Sequence, residues 1–382
     1  MNSSLPQPDP ALPHLADVVP AVLAAMGVGG LDSPLSFGEV SGACVLLVDG
    51  LGADLLDAHA ADAPTLAALR SSTLQVGFPS TTAAGLAAVG TGQRSGQHGM
   101  VGYTFRVPGT GVINALRWRP HPWGVDLREQ LIPEEMQPLP TTFETAAAAG
   151  VAVSVVSAAQ FTDSGLTRAV LRGGRYVGVH ALGDLAATVV QVIDDGGFCY
   201  GYHADLDLVG HLHGPGSRAW RLQLRQVDRL VESVVETLPS GGLLAVVADH
   251  GMVTADPETT LDIDAAPDLL KGVEDIAGEP RARHVYVRAG AVADVADTWS
   301  AVVADRAWVL TRDQAITAGW FGPRVSARVA ARIGDLVVAA RDSAVLVRRS
   351  VEPLESALVG HHGSLSSAEQ RVPLLLARGP LG

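Results

Sequence analysis

Five continuous apolar runs of strand length constrain this chain more than any other feature, because each ends where a polar, chemistry-bearing residue begins. They are ACVLLVDG (43–50), TLQVGFPS (73–80), VAVSVVSA (151–158), GFCYGYHAD (197–205) and GLLAVVADHG (242–251). A strand with one wet face alternates apolar and polar residues; an unbroken apolar run predicts burial on both faces. Between the runs lie Ala- and Leu-rich segments with helical spacing, such as TTFETAAAAG and SRAWRLQLRQVDRLVESVVETL. Strands alternating with helices predict an α/β fold, a mostly parallel sheet flanked by helices. In such sheets a ligand binds outside the carboxyl ends of the strands. Asp49, Pro79-Ser80, Asp205/Asp207 and Asp249-His250 all fall at those ends, so the polar residues are expected to converge on one edge.

The chain has 382 residues, 47% of them apolar, enough for one large domain and a smaller one at roughly 150 residues per domain. Residues 262–346 have a different texture, with HVYVRAG, RAWVLTRDQAITAG and RIGDLVVAARDSAVLV. They predict a small α/β cap inserted into a core made of 1–261 and 347–382. Net charge is −13 and Lys271 is the only lysine, which argues against a long nucleic acid as partner, since such proteins neutralise phosphates with basic patches. A small anionic ligand held by metal ions and a few arginines fits better. No apolar run reaches the roughly 18 residues of a membrane span. Residues 1–37 hold no Lys or Arg, unlike the positive start of a secretory signal, so a cytoplasmic location is expected. The stretch PALPHLADVVPAVLAAMGV is expected to form a surface helix closing on the domain, and the protein to be a monomer or weak homodimer. Cys44 and Cys199 sit inside strand-like runs and read as buried thiols; no C-x-x-C spacing exists.

The polar segments suggest metal chemistry when taken together. Asp49 in Val-Asp-Gly-Leu-Gly is a carboxylate at a strand end, where a helix cap or a ligand are both open. Asp207 and His211 stand at i and i+4, on one side of the chain if the segment is helical. Asp249-His250 follows an apolar strand, and burying that pair is costly unless a cation compensates it. On an extended strand the two would point to opposite faces, so a local turn must rotate one. Gly-His-His-Gly (360–363) supplies two more imidazoles, and spacing does not choose between His361 and His362. Ser80, Thr81 and Thr82 begin a small-residue helix, where a hydroxyl is either an anion seat or an N-cap. Two divalent ions (+4) against three carboxylates (−3) leave a site that accepts phosphate within an acidic body. Two metals about 4 Å apart stabilise the attacking and leaving oxygens of an in-line displacement.

The order of these motifs resembles the alkaline phosphatase superfamily, in particular its nucleotide pyrophosphatase/phosphodiesterase branch. The resemblance rests on V-D-G, F-P-S-T-T, T-G-x(5)-H-G (91–99), D-x-x-G-H-x-x-G-P (207–215), A-D-H-G-M and a late H-G, from about residue 40 onward. It implies an alkaline-phosphatase-like fold. It also implies that Asp207, His211 and His362 hold one metal, Mn²⁺ or Zn²⁺, and that Asp49, Asp249, His250 and Thr82 hold the other. Thr82 would then be the nucleophile, chosen over Thr81 and Ser80, and His362 would be chosen over His361. His98 matches a family position and reads as structural. Diesterases of this branch are expected to carry an Asn three residues after the nucleophile, where this chain has Gly85.

Within that superfamily the chain looks most like actinobacterial phosphodiesterases that degrade cyclic di-AMP to pApA and AMP. The resemblance implies a phosphothreonine intermediate. Tyr103, Phe105, Trp118 and Trp123 follow the nucleophile helix, with Arg106, Arg117 and Arg119 nearby; the aromatics are candidates for stacking on adenine, and His203 for touching substrate. His213 borders the metal motif and is expected to pack. Alternatives are a general nucleotide pyrophosphatase/phosphodiesterase, a phosphonoacetate-hydrolase-like enzyme, weakened because the only lysine, Lys271, lies in the insertion, and a catalytically inactive nucleotide receptor, weakened by the intact ligand set.

Overall fold

The apolar run after Ser41 forms β1 (Gly42–Val48), every residue of which is buried, and it lies at the centre of a seven-stranded sheet. The computed structural model describes residues 5–380. The other strands of this sheet are β2 (Arg70–Gln75), β3 (Val153–Ala158), β4 (Arg175–Val179), β5 (Phe198–His203), β6 (Gly242–Val247) and the C-terminal β11 (Arg371–Arg378). Their order is β2-β11-β6-β1-β5-β3-β4. Pairs β1–β5, β1–β6, β3–β4 and β3–β5 are parallel, while β11 runs antiparallel to both β2 and β6. The fold is therefore the expected α/β sheet flanked by helices. Cys44 and Cys199 pair in register on β1 and β5 as buried free thiols.

Among the helices around the sheet and its polar edge are α1 (Val18–Ala25), α2 (Thr82–Thr91), α3 (Leu182–Asp194), α4 (Asp205–His213) and α5 (Arg218–Glu236). The last is strongly amphipathic, burying Trp220, Leu224, Val227, Leu230, Val231 and Val234 along one stripe. Helix α1 corrects an expectation. It is not a surface helix: Val18 through Leu23 are all buried. A helix with no charged face has no side to show water, so it sinks into the core.

Residues 261–347 leave and rejoin the main body side by side, because Leu261–Asp262 pairs in parallel with Leu346–Val347. Between them stands a second, antiparallel sheet of β7 (Val273–Glu279), β8 (Ala282–Val287), β9 (Ala307–Thr311) and β10 (Leu336–Ala340), in the order β7-β8-β10-β9. One face packs on helix Val292–Val303 through Trp299 and Val303 to form its own core. Ala282, Val337 and Ala339 instead join the main core. Two buried ion pairs reinforce this contact: Arg281 with Glu369 at 2.6 Å and Arg283 with Glu352 at 2.7 Å.

The pair Arg281–Glu369 is fully desolvated, so removing one charge strands the other. Glu369→Gln is expected to lower unfolding free energy by about 3–5 kcal/mol, read as a fall in the urea midpoint. Glu352 carries a pH signature. Burial would raise its carboxyl, but Arg283 and His121 outweigh that and hold it down to about 2. Its contribution is thus full above the unfolded value and is lost as pH falls toward about 2.

Candidate metal centre

Each cluster residue is delivered by the carboxyl end of a strand or by a segment next to one. Asp49 follows β1 directly, and Asp249-His250 lies just past β6, where the chain leaves extended geometry and both side chains turn inward. Asp207 and His211 lie on α4, one turn apart on the same face, with His211 Nε2 at 3.3 Å from Asp207 Oδ2. His362 comes from the segment after the short strand Gly360–His361. Its Nε2 lies 3.3 Å from His211 Nε2 and 3.9 Å from Asp207 Oδ1.

Two groups result, Asp207/His211/His362 and Asp49/Asp249/His250, each with ligand-type atoms within 4.8 Å of one another. They adjoin: the His250 and His362 rings stack with centroids 3.5 Å apart and planes 10° apart. Thr82, the first residue of α2, places Oγ1 at 3.3 Å from His250 Nε2. Approach is close enough that Gly50, at φ +74°, would bring a Cβ within 3.0 Å of the Asp207 Cα.

Unmet polar groups show that these residues suit cations. Asp49 Oδ1, Asp207 Oδ1 and Asp249 Oδ2 are buried and accept no hydrogen bond, although buried carboxylates seldom go unpaired. The three imidazoles turn Nδ1 toward backbone carbonyls: His211 toward Gly360 at 2.7 Å, His362 toward Ser80 at 2.8 Å and His250 toward Gly251 at 3.1 Å. Carbonyls only accept, so Nδ1 carries a proton, and the neutral form of each ring keeps its lone pair on Nε2. His211 and His362 then face each other with two acceptors, an arrangement that a cation between them relieves.

Without that cation, protons must carry the compensation. Burial and the Asp49 charge push Asp249 well above the usual carboxylate range. Burial alone would lower His250, but Asp249 and Asp49 outweigh it and push the imidazole up to about 10. Burial opposes the Asp207 charge, yet His211 and His362 hold that carboxyl below its ordinary value. Tyr202 also enters the cluster, its hydroxyl donating to Asp49 Oδ2.

The three hydroxyls at the start of α2 separate clearly. Ser80 Oγ donates to Ser364 O at 2.8 Å and accepts from Gly363 N at 3.2 Å, so it is used in tying the two loops together. Thr81 is the N-cap residue by backbone position, yet its side chain makes no capping bond. Thr82 alone faces the cluster through its bond to His250. His361 is directed elsewhere, with Nε2 donating to Leu358 O at 3.0 Å.

A cleft of about 370 Å³ opens beside Thr82, and Tyr103, Arg117, Asp207, His211, Glu279 and His362 are among its lining residues. An apolar pocket of about 100 Å³ also borders Thr82, against Leu86, Phe161, Tyr176 and Tyr202. Several expected substrate contacts are not here. Phe105 and Trp118 are fully buried in the main core, and the Trp118 indole donates to Leu131 O at 2.7 Å, so neither offers a ring face to a ligand. Large rings contribute the most apolar burial, and a small hairpin has few other ways to anchor itself. Trp123 is 67% exposed and lines neither space at Thr82. His203 is buried in a separate cleft beside Asp205 and 3.3 Å from Gln223. His213, expected to pack, is instead exposed at the last position of α4, whereas His98 accepts from Met100 N within the core. Tyr103 does face the cleft, donating its hydroxyl to Glu355 at 3.2 Å.

Residues that sequence reasoning missed are Tyr202, Phe161 and Glu279. Tyr202 adjoins His203 at the strand end, a detectable position. Glu279 comes from β7, in the segment between residues 262 and 346, and carries no local signal. Its Oε1 is buried without a partner while Oε2 accepts from Tyr103 N at 2.9 Å. Burial lifts its carboxyl to about 8.

Gly85 explains why an Asn is absent. A Cβ there would lie 2.4 Å from the Asp249 Cβ and 3.0 Å from its Cα, so α2 can approach the cluster only with glycine at this turn. Gly85→Ala is therefore expected to displace Asp249 and cost about 1–3 kcal/mol of stability by overpacking. Turnover should fall far more than folding does, checked by kcat beside thermal melting.

The family model for type I phosphodiesterase/nucleotide pyrophosphatase matches residues 43–365, from the first strand to just past the last histidine of the cluster. The chain belongs to this family. No curated protein matches it. Among solved structures, the fold is similar to that of murine ectonucleotide pyrophosphatase/phosphodiesterase 5, solved as an inactive threonine-to-alanine variant with AMP. That likeness has a TM-score of 0.67 and 16% identity, covering 88% of this chain and 87% of that one. Phosphonoacetate hydrolase from Sinorhizobium meliloti, solved with phosphonoformate, has a TM-score of 0.67 and 20% identity over 89% of this chain and 92% of that one. At these identities the likeness concerns the fold, and the phosphodiesterase/pyrophosphatase family is shown by the sequence model. Among the described residues no helix is long and apolar enough to cross a membrane.

Proposed function

We propose that the chain hydrolyses phosphoric diesters of small nucleotides, with two divalent ions and Thr82 as nucleophile. The observation that carries this reading is the set of three unpartnered buried carboxylate oxygens facing three imidazole Nε2 atoms beside the Thr82 hydroxyl. Asp207, His211 and His362 would hold one ion, and Asp49, Asp249, His250 and Thr82 the other. When bound, such ions, Mn²⁺ or Zn²⁺ by donor type, neutralise phosphate charge and ease ionisation of a hydroxyl or water. Thr82 Oγ1 loses its proton to solvent and attacks phosphorus in line. The Oγ1–P bond forms, the opposite P–O bond breaks, and the departing oxygen takes a proton from water. Water then cleaves the phosphothreonine to restore the hydroxyl. The inactive threonine-to-alanine variant of the murine relative supports the need for such a hydroxyl, and its AMP supports a nucleotide ligand.

Within that class, cyclic di-AMP is the proposed substrate, cut to pApA and then AMP. Motif order and ligand spacing support it, as do the two spaces that border Thr82. We read residues 262–346 as a cap whose Glu279 completes the cleft wall, with 1–261 and 347–382 as the core. A general nucleotide pyrophosphatase is favoured in turn by the breadth of the family description. A phosphonoacetate hydrolase is disfavoured because Lys271 is exposed and paired with Asp268, not in the cleft. Turnover of cyclic di-AMP, pApA, ATP, bis(p-nitrophenyl) phosphate and phosphonoacetate, with metal analysis, tests these readings. Preferential cleavage of cyclic di-AMP is the expected result; cleavage of phosphonoacetate alone overturns the diesterase reading.

A further inference from the structure

Resting on the diesterase reading, we infer that Arg117 is a phosphate-binding residue for a second phosphate group of the substrate, beyond the one Thr82 attacks. Three arginines follow the nucleophile helix, and the structure separates them. Arg106 is committed, bonded to Asp275 at 2.6 and 3.0 Å and to Glu274 at 3.2 Å, with its guanidinium over the Tyr286 ring. Arg119 and Arg117 are both exposed, but Arg119 does not line the cleft. Arg117 lines the same cleft as Thr82, Asp207, His211 and His362, and is the only basic side chain other than histidine to do so. Among the described residues its guanidinium makes no ion pair or hydrogen bond, although Glu279 and Glu355 line that cleft too.

The backbone around Arg117 is held rigidly. Asn114 Oδ1 accepts from Leu116 N and Arg117 N, both at 3.0 Å. Trp118 follows at φ +53°, a conformation that a bulky side chain rarely adopts. It is held there by its N–H to Asn114 O at 2.8 Å, its carbonyl accepting from Leu127 N at 2.9 Å, and the buried, hydrogen-bonded indole. Strained backbone persists where the surroundings over-determine it, and such sites cluster at ligand clamps. The buried Trp118 thus acts through its neighbour, as the anchor of the turn that carries Arg117 at the cleft wall.

The charge pattern selects the ligand class. Apart from Arg117 and the histidines, the ionisable groups of the cleft are acids and a tyrosine: Asp207, Glu279, Glu355 and Tyr103. An anion seated away from the metal ligands therefore has this guanidinium to meet. Its planar fork matches two phosphate oxygens, which a lysine ammonium cannot do. Substrates with two phosphates, whether a dinucleotide or a nucleoside polyphosphate, would gain from this contact; a diester with a single phosphate would not.

The test compares wild type, Arg117→Ala and Arg117→Lys on pApA, ATP and bis(p-nitrophenyl) phosphate with Mn²⁺, alongside melting curves to confirm folding. The ratio of kcat/KM for pApA or ATP to that for the single-phosphate diester should fall about tenfold or more in Arg117→Ala, through KM. Lysine should restore only part. A fall for pApA alone places the second phosphate across a nucleoside, and a fall for ATP alone places it next to the first. A ratio within twofold of wild type for both overturns the inference while leaving the diesterase reading intact. A wild type that cleaves none of the three overturns that reading and this one together.

Discussion

Thr82→Ala will fold, bind metal and lose turnover by at least about a thousandfold, as expected when a nucleophile is removed from a unit that acts together. The hydroxyl sits 3.3 Å from His250 Nε2, at the start of a helix whose whole length is buried. The change removes one hydroxyl and one methyl from that surface, so the melting temperature should fall only modestly. Thr82→Ser retains the oxygen and should retain a measurable rate. Acid quenching during turnover should trap phosphate on residue 82 in wild type and in Thr82→Ser but not in Thr82→Ala. Full activity in a folded Thr82→Ala protein, or phosphate trapped on Ser80 or Thr81, would remove the nucleophile assignment.

The second large effect sets function against stability. Asp249 is fully buried, and with Asp49 and Asp207 it belongs to a cluster whose outward oxygens lack partners. In metal-free protein Asp249 meets burial and the Asp49 charge only by taking up a proton, so Asp249→Asn, which is neutral without one, should stabilise it at neutral pH by about 1–3 kcal/mol. The same change removes a proposed metal ligand, so activity should fall by orders of magnitude. Metal binding only to the folded state should stabilise wild type by about 4 kcal/mol at a thousandfold excess over Kd, and the variant by much less. Affinity should weaken as pH falls, because Nε2 and the carboxylates must shed protons before they can ligate. Melting curves with and without Mn²⁺ or Zn²⁺ read all of this. Equal destabilisation of apo and loaded protein would show that Asp249 serves packing alone.

Periodicity alone revealed the strand runs, their double-sided burial and the edge to which their polar ends point. Continuous runs such as Val45–Val48 have one physical solution, the middle of a covered sheet, so β1 and its neighbours were legible. The i, i+4 spacing of Asp207 and His211 was likewise legible, because a helix converts that spacing into one face. Helix α1 was misjudged from its place in the chain although its uncharged face pointed inward. The aromatic residues 105 and 118 were misjudged for a related reason: residue type says that a ring is available, not which side of it is covered.

By itself, then, the sequence determined the class of fold, the motif order and the donor types at the strand ends. Only tertiary structure decided that Asp249 and His250 turn to one side, and that His362 meets His211 while His361 turns to Leu358. It also decided that Glu279 and Arg117 reach the same cleft from distant segments. Local propensity acts over one turn or one strand, whereas a metal cluster depends on contacts between atoms more than a hundred residues apart. Gly85 shows the difference most simply. In sequence it is a missing Asn; in space it is the one residue type that leaves room for Asp249.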